Sequence, residues 1–255
     1  VVKYGADGID LDWEFTQSTT DGANYTKLMR LLREKFDAIQ AAGGSPYIIT
    51  AAIPASNFTD KYYDFPGMNT YCDYVNMMSY DLFNSSKATH QSALYTSSND
   101  GGFGLSVDWG VKEFTSKGLA KSKIIVGCAC YGKAWKLTGT STSTKYPGLG
   151  VAGTLFNAGV TGSHDSGTQY YYGIQELINT GRYKTYTEYN NNGQLVCSYL
   201  YSETDKVFIT YETAEVFQAK YEYALAGGMG IMCWSMPEDA RDTYINTLYN
   251  CRFGN

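Results

Sequence analysis

Short apolar runs alternate along this chain with longer segments of helical periodicity. Five of the runs are bounded by turn-forming residues and predict buried parallel strands, at residues 2–14, 47–54, 74–82, 123–131 and 228–235. The clearest helical pattern covers residues 23–42, where Asp21 can cap the start and Gly43 and Gly44 end the helix. Further helices are predicted at residues 107–116, 213–226 and 240–249. Repeated alternation of strand and helix predicts an α/β fold with right-handed crossovers.

One interval, residues 133–212, departs from this alternation. It is rich in Gly, Thr, Ser, Asn and Tyr, with period-two stretches at residues 183–189, 195–201 and 206–211 and a short helical pattern at 174–179. The pattern favours antiparallel strands around a small helix. We therefore expect an inserted α+β subdomain at residues 134–212, while residues 1–133 and 213–255 form the main domain.

Composition narrows the class of protein. The 255 residues include 20 basic and 25 acidic side chains, which give a net charge of −5. No cluster of basic residues stands out, so a nucleic-acid partner is not expected. Hydrophobic residues make up 44% of the chain, but no apolar run approaches the length of about 18 residues that a membrane span needs. The 24 tyrosines are typical of sugar-binding surfaces, although tyrosine also fills half-buried strands.

Six cysteines permit disulfides without requiring them. Cys128 and Cys130 are two apart in a strand-like run, so their side chains point to one face and do not readily bridge each other. Buried free thiols are the preferred interpretation for most of the six. With two histidines and no CxxC spacing, the sequence predicts no zinc site, and no other metal or cofactor is expected. Three N-glycosylation sequons lend slight support to secretion.

The first predicted strand carries the acidic sequence DGIDLDWE at residues 7–14. With a side-chain period of two, Asp10, Asp12 and Glu14 share one face, and the apolar residues between them share the other. In a parallel barrel the outer face is covered by helices, so the acidic face lines the interior and rises toward the mouth at the carboxyl ends of the strands. Three carboxyls so close together cannot all stay ionised, and we expect a raised pKa for Glu14, the outermost. A general acid near neutral pH needs such a retained proton.

Two other structures would also account for the acidic run, namely a solvated strand edge and a divalent-metal site. The apolar residues at the alternate positions disfavour a solvated edge. A metal site would need further oxygen or imidazole ligands at the strand ends, and few are present. The catalytic interpretation is therefore preferred.

The acidic run resembles the D-G-x-D-x-D-x-E signature of family-18 glycoside hydrolases, the chitinases and their relatives, whose fold is a (β/α)8 barrel. Three shorter segments resemble motifs of the family in the same order: Met78-Ser79-Tyr80-Asp81 its M-x-Y-D strand, Tyr131-Gly132-Lys133 its Y-G-R segment, and Trp234 the tryptophan that ends its last strand. The interval at residues 133–212 matches the family's insertion domain in place and size. Lys133 stands where the family commonly has Arg, which removes a planar bidentate donor.

The resemblance implies an α/β fold of the TIM (β/α)8 type, of which the chain carries strands 4–8, with the α+β subdomain inserted between strands 7 and 8. A family member has three further strands before the signature, whereas six residues precede Asp7 here. The chain is interpreted as an excerpt of a longer protein, because residues 2–5 begin without a helix cap or a signal peptide. A truncated product and an unfamiliar open sheet are the alternatives.

The resemblance also implies a mechanism. Glu14 would protonate the glycosidic oxygen, and the substrate's own 2-acetamido oxygen would be the nucleophile, so that the product retains its anomeric configuration. Asp12 would accept a hydrogen bond from the acetamido N–H and orient it, and Asp10 would share a proton beneath Asp12.

Further residues would bind the sugar. Tyr80 and Asp81 would hold the acetamido group and the ring, Met78 would form a pocket wall, and Trp234 would lie under the distorted sugar. For Met78 and Trp234 plain barrel core is the alternative, and for Tyr131, a further substrate-binding candidate, it is a packed ring with a satisfied hydroxyl. Trp135 and Phe15 would contact other sugars or belong to the core or the surface; the sequence favours neither.

The function expected from this resemblance is that of a secreted, endo-acting chitinase whose partners are chitin or chito-oligosaccharides. Neither nucleic acid nor a membrane is expected as a partner, and the oligomeric state stays open. The alternatives are a chitin-binding lectin on the same barrel, an endo-acting glycosidase on N-linked glycans, and an inert fragment. The presence of Glu14 favours the enzyme over the lectin, because lectin relatives typically lose this acid.

Overall fold

A computed structural model describes residues 1–253, which contain two sheets and six α-helices. The strands are β1 (Gly8–Leu11), β2 (Ile48–Pro54), β3 (Tyr74–Met78), β4 (Ile124–Ala129), β5 (Tyr131–Leu137), β6 (Gly153–Leu155), β7 (Thr168–Tyr170), β8 (Lys184–Tyr189), β9 (Leu195–Ser202), β10 (Val207–Tyr211) and β11 (Gly230–Trp234). The α-helices are α1 (Thr19–Ala41), α2 (Phe65–Tyr71), α3 (Val107–Ser116), α4 (Tyr171–Asn179), α5 (Ala214–Ala226) and α6 (Thr243–Phe253).

The main sheet is parallel and has the strand order β1-β2-β3-β4-β11. Helices connect its strands, as the alternating pattern predicts, and the segment from β5 to β10 is inserted before the last strand. Within residues 1–253 the edge strands β1 and β11 do not pair with each other, so the described sheet is open.

Helix α1 covers β1 and β2 with an apolar face that includes Tyr25, Met29 and Phe36, all buried. It begins earlier than the sequence predicts. Ser18 is the N-cap, and its hydroxyl accepts a hydrogen bond from the backbone N–H of Asp21 over 3.1 Å. Asp21 therefore lies in the first turn, where a carboxylate favours the positive end of the helix dipole, and the prediction of Asp21 as the cap is wrong.

The second sheet is antiparallel, with the order β6-β5-β10-β9-β8 and β7 paired to β5. Helix α4 packs on it through Ile174 and Leu177. Strand β5 already begins at Tyr131, so the second sheet includes residues that the predicted division assigns to the main domain. The division into domains at residues 133/134 and 212/213 stays a prediction.

The strands of the main sheet are shorter than their apolar runs. Residues Val2–Tyr4 form a 3-10 helix that ends at Gly5, whose φ of 65° is left-handed, and β1 itself pairs with β2 over only four residues. Strands β3 and β4 likewise end at Met78 and Ala129. The prediction of one strand over residues 2–14 is therefore wrong. Half of the predicted site residues lie just beyond a strand end, namely Asp12, Glu14, Tyr80 and Asp81.

The cysteines follow the sequence prediction. All six are free, and Cys72, Cys128, Cys130 and Cys197 are buried. In the described part of the chain, no helix is both long and apolar enough to cross a bilayer.

Candidate active site

A cleft of about 770 Å³ opens at the carboxyl ends of the parallel strands. Its walls come from turns that follow β1, β2, β3 and β4 and from the end of β11. All eight residues predicted to form the site line it: Asp10, Asp12, Glu14, Met78, Tyr80, Asp81, Tyr131 and Trp234. Sites of such sheets lie at the edge where the parallel strands end, because the side chains of the turns there are not needed to pack the core.

Asp10 lies at the bottom of the acidic column, on β1. Its Oδ1 accepts hydrogen bonds from Nδ2 of Asn76 over 3.0 Å and from the hydroxyl of Thr50. Asn76 on β3 and Thr50 on β2 are polar residues within apolar runs, and neither is among the residues predicted to form the site. Polar side chains at single positions of a buried strand are the signal that would have identified them.

Glu14 stands in the turn after β1, with its side chain exposed in the cleft. Partial burial of its carboxyl raises the pKa of Glu14 above the ordinary value, and the negative charge of Asp12, a hydrogen bond with Asp12 and the charge of Asp81 raise it further. The direction agrees with the one expected for a general acid, since a raised pKa keeps the proton available at higher pH.

Tyr80, Asp81 and Tyr131 come together between β3 and β4. The hydroxyl of Tyr131 donates a hydrogen bond to Oδ2 of Asp81 over 2.9 Å, and the rings of Tyr80 and Tyr131 meet edge to face with their centroids 6.2 Å apart. Both rings are buried, and burial is the largest cause that raises the pKa of each phenol. Asp81 has a left-handed φ of 57°, which turns the chain at this point.

Gln91 holds this arrangement from the loop that follows β3. Its Nε2 donates to the carbonyl oxygen of Tyr131 over 2.7 Å, and its Oε1 accepts from the backbone N–H of Asp81 over 3.3 Å. One amide side chain thus connects the backbones of two predicted binding residues. Gln91 was not among the predicted residues, because nothing in its local sequence distinguishes it.

Lys133 keeps a charge near Asp81. Its Nζ lies 3.3 Å from Oδ1 of Asp81 and donates to the hydroxyl of Thr168 over 2.7 Å. An ammonium group replaces the fork of an arginine with a single point of charge, so Asp81 receives one contact here instead of a bidentate pair.

The apolar candidates differ in how far they are exposed to the cleft. Trp234 is 55% exposed, so it is not barrel core. Met78 is buried among Ala52, Tyr80 and Tyr131 and also faces the cleft. Phe15 lines the cleft as well.

Trp135 is completely buried, and its Nε1 donates to the carbonyl oxygen of Asn84. It packs between Phe83 and Phe208 in the core of the second sheet. A sugar contact for Trp135 is therefore wrong, because no face of the indole is accessible.

An exposed aromatic pair at the rim escaped the sequence analysis. Phe58 follows β2 and Phe103 precedes α3, their ring centroids are 5.4 Å apart, and both line the cleft. Their exposed fractions are 59% and 47%. The signal was an isolated aromatic residue in each of two polar loops.

The described residues contain no group of three or more His, Cys, Asp or Glu side chains that could hold a metal ion. The acidic residues instead pair with amide, hydroxyl and phenol donors.

The family model described as glycosyl hydrolases family 18 matches residues 1–239, and the chain belongs to this family. The chain is 30% identical over 253 residues to a probable endochitinase of Caenorhabditis elegans, covering 94% of this chain and 38% of that protein. It is 28% identical to chitinase A1 of Niallia circulans, covering 96% of this chain and 36% of that one. The chain thus spans little more than a third of the length of these two relatives.

The fold of this chain is similar to that of solved structures. A class V chitinase from Nicotiana tobaccum in complex with NAG4 superposes with a TM-score of 0.84 at 23% identity, covering 98% of this chain and 69% of that one. A chitinase-like agglutinin from Robinia pseudoacacia superposes with a TM-score of 0.77 at 24% identity, covering 96% and 67%. At these identities the two structures show the fold alone, and they confirm the predicted fold class.

Proposed function

We propose that this chain carries the catalytic acid of a chitinase, which hydrolyses β-1,4-linked N-acetylglucosamine polymers with retention of configuration. The observation that supports it most directly is the pairing of Glu14 with Asp12 in the cleft, where burial and the charge of Asp12 raise the pKa of Glu14. A carboxyl that keeps its proton can donate it to the oxygen of a leaving sugar.

The nucleophile is proposed to be the acetamido oxygen of the substrate. In this mechanism Asp12 accepts a hydrogen bond from the acetamido N–H, which directs the carbonyl oxygen toward the anomeric carbon. The bond to the leaving sugar breaks as Glu14 delivers its proton, and a cyclic oxazolinium ion forms. Glu14, now a carboxylate, then removes a proton from the water that opens the ring, so the configuration is retained.

Asp10 supports this step from below. Its carboxylate accepts two hydrogen bonds, from Thr50 on β2 and from Asn76 on β3, which fix the orientation of its side chain. We propose that Asp10 and Asp12 share a proton, so that Asp12 is free to hydrogen-bond the substrate as charge develops.

The sugar at the point of cleavage is proposed to lie on Trp234, with its acetamido group between Tyr80, Asp81 and Met78. Tyr131 orients Asp81 through the 2.9 Å hydrogen bond. An exposed indole at the end of β11 offers a flat apolar face to a sugar ring. Chitin and chito-oligosaccharides are the proposed substrates, cleavage is proposed to be endo-acting, and the proposed location is extracellular.

The test is release of chromophore from a chitotriose analogue by the protein that carries this chain. Glu14→Gln should abolish release while chito-oligosaccharide binding persists, because an amide keeps the shape of the carboxyl but has no proton to give. Glu34→Gln, on the exposed part of α1, is the matched control and should keep full activity. Equal rates for the wild type and Glu14→Gln would refute the assignment, and so would a first product of inverted configuration.

A further inference from the structure

A fully buried ion pair lies behind the cleft and belongs to none of the residues described so far. Glu212 follows β10, Lys220 lies on α5, and neither side chain has any exposure to solvent. The ammonium Nζ of Lys220 donates to Oε1 of Glu212 over 2.7 Å. Burial of a charged group costs desolvation free energy, which pairing and hydrogen bonds only partly offset. We therefore ask which part of the structure this pair holds in place.

The pair is connected to the backbone at two strand ends, directly at one and through a serine hydroxyl at the other. Oε1 of Glu212 accepts a hydrogen bond from the backbone N–H of Ala129 over 2.8 Å, at the end of β4. The hydroxyl of Ser92 lies 2.6 Å from the same oxygen and 3.0 Å from the carbonyl oxygen of Ser79, just past the end of β3. The hydroxyl oxygen of Ser92 accepts a hydrogen bond from Lys220 Nζ over 2.6 Å. Its single proton can then be donated either to Glu212 or to the carbonyl oxygen of Ser79.

These two strand ends carry the sugar-binding residues. Tyr80 and Asp81 come directly after Ser79, and Tyr131 comes two residues after Ala129. A shift of either backbone would change the 2.9 Å contact between Tyr131 and Asp81. One carboxylate oxygen thus contacts the backbone of Ala129 directly and is connected to that of Ser79 through the hydroxyl of Ser92.

We propose that Glu212, held in place by Lys220, is a positioning residue for the acetamido pocket of this site. The inference rests on the proposed function, because it assigns Tyr80, Asp81 and Tyr131 to the substrate. Glu212 acts on the backbone of Ala129 directly and on that of Ser79 through Ser92. It does not touch the sugar, because it lines no part of the cleft.

The charge of Lys220 stabilises the arrangement. Burial by itself would lower the pKa of this ammonium, but the adjacent carboxylate of Glu212 raises it above the ordinary value. The ammonium group in turn holds Oε1 of Glu212 in place through the 2.7 Å hydrogen bond.

Two double variants separate the positioning role from the ion pair. Glu212→Gln with Lys220→Met removes both charges but keeps an oxygen that can accept from Ala129 and Ser92. Glu212→Leu with Lys220→Met removes the charges and the acceptor. The Gln variant should keep kcat on a chromogenic chitotriose analogue within about threefold of the wild type. The Leu variant should lower kcat about tenfold to a hundredfold with a smaller change in KM, because a displacement of about 1 Å in a positioned group has effects of this size.

Amide hydrogen exchange gives a readout that does not depend on turnover. The N–H of Ala129 donates to Glu212 itself, so it should exchange faster in the Leu variant and stay protected in the Gln variant. Equal kcat in the two double variants would overturn the proposal whatever their unfolding temperatures, and so would an Ala129 amide equally protected in both.

The matched control is a similar arrangement at the opposite end of the sheet. Asp73 precedes β3, where its Oδ2 accepts from the backbone N–H of Ile49 over 2.8 Å and pairs with Arg33 over 2.5 Å. Asp73→Leu with Arg33→Met should destabilise the fold while leaving kcat per folded molecule unchanged. A loss of kcat equal to that of the Glu212→Leu variant would show a general packing effect and would also overturn the proposal.

Ser92→Ala serves if the Leu double variant does not fold. It removes only the hydroxyl between Glu212 and the carbonyl of Ser79, and kcat should fall at least about threefold with KM nearly unchanged; an unchanged kcat contradicts the inference. If the wild type itself fails to hydrolyse the analogue, the proposed function fails, and the inference is then judged on Ala129 exchange and on the affinity for chitotetraose in the same variants.

Discussion

The hydroxyl of Tyr131 donates to Oδ2 of Asp81 across 2.9 Å, and the other oxygen of the same carboxylate lies 3.3 Å from Nζ of Lys133. The carboxylate of Asp81 is half exposed, so it meets the cleft while both its oxygens are held from the side of the second sheet. This contact joins the loop after β3 to the first strand of the inserted segment, and it therefore couples the insertion to the site.

Replacing Tyr131 by Phe removes this hydrogen bond and little else. We expect kcat/KM on chitotriose analogues to fall about tenfold, because Asp81 loses a fixed orientation worth roughly 1–1.5 kcal/mol. Tyr146→Phe is a suitable control, since that buried hydroxyl donates to the carbonyl oxygen of Tyr189 outside the cleft. Unchanged kinetics of Tyr131→Phe would mean that Asp81 does not depend on this contact.

Asp12→Asn should lower kcat much more than it weakens binding. An amide can still contact a sugar, but it does not accept the acetamido hydrogen bond as strongly as a carboxylate, so the internal nucleophile is less well aligned. Steady-state kinetics with chitotriose analogues and calorimetric titration with chitotetraose on the inactive Glu14→Gln background separate the two effects. A change confined to affinity would argue against substrate assistance.

The pH dependence of kcat/KM should reveal the coupling between Glu14 and Asp12. The acid must be protonated to act, so activity falls as the pH rises through the pKa of Glu14. Burial raises this pKa most, but the charge of Asp12 raises it too, and its removal in Asp12→Asn should move the alkaline limb to lower pH. Asp7→Asn removes a carboxylate that lines no part of the cleft and should leave the limb in place. A limb that stays fixed in Asp12→Asn would mean that another group controls it.

A second buried pair should make stability depend on pH. His90 Nε2 lies 2.7 Å from Oε2 of Glu188, with both side chains buried. Burial alone would lower the pKa of His90, but Cys197 and the carboxylate of Glu188 raise it. Burial alone would raise the pKa of Glu188, but hydrogen bonds from His90, Asn99 and Ser97 and the charge of His90 lower it.

The two shifts have opposite consequences. The contribution of His90 is complete below its unfolded pKa of about 6.5 and is lost as the pH rises through the folded value. The contribution of Glu188 is complete above its unfolded pKa of about 4.3 and is lost at lower pH. Thermal unfolding should therefore show the largest contribution of the pair between these values and a decline toward pH 9. Glu188→Gln should cost about 3–5 kcal/mol near pH 5.5 and flatten the decline, because His90 loses its partner. An equally steep decline in the variant would assign the effect to other groups.

Local chemistry determined much of this protein before any tertiary contact. Helix α3 begins and ends where the sequence predicts, at Val107–Ser116, because its apolar period and the cap at Ser106 lie within the segment. The sequence also predicted the existence and order of the five parallel strands, though not their ends, and it singled out the acidic run by residue type and spacing. Those signals were sufficient for the family and for eight of the residues that line the cleft.

The tertiary structure alone decided where the strands end and what holds the site. Asp10 and Asn76 are 66 residues apart, and Ser92 and Glu212 are 120 residues apart. No local sequence pattern could therefore predict either contact. Whether Trp135 is buried and Trp234 exposed also depends on which sheet covers each indole. A sequence pattern records which face of an element is apolar, but the neighbour of that face is set by how the sheets pack, and the burial, pairing and pKa of each side chain follow from that neighbour.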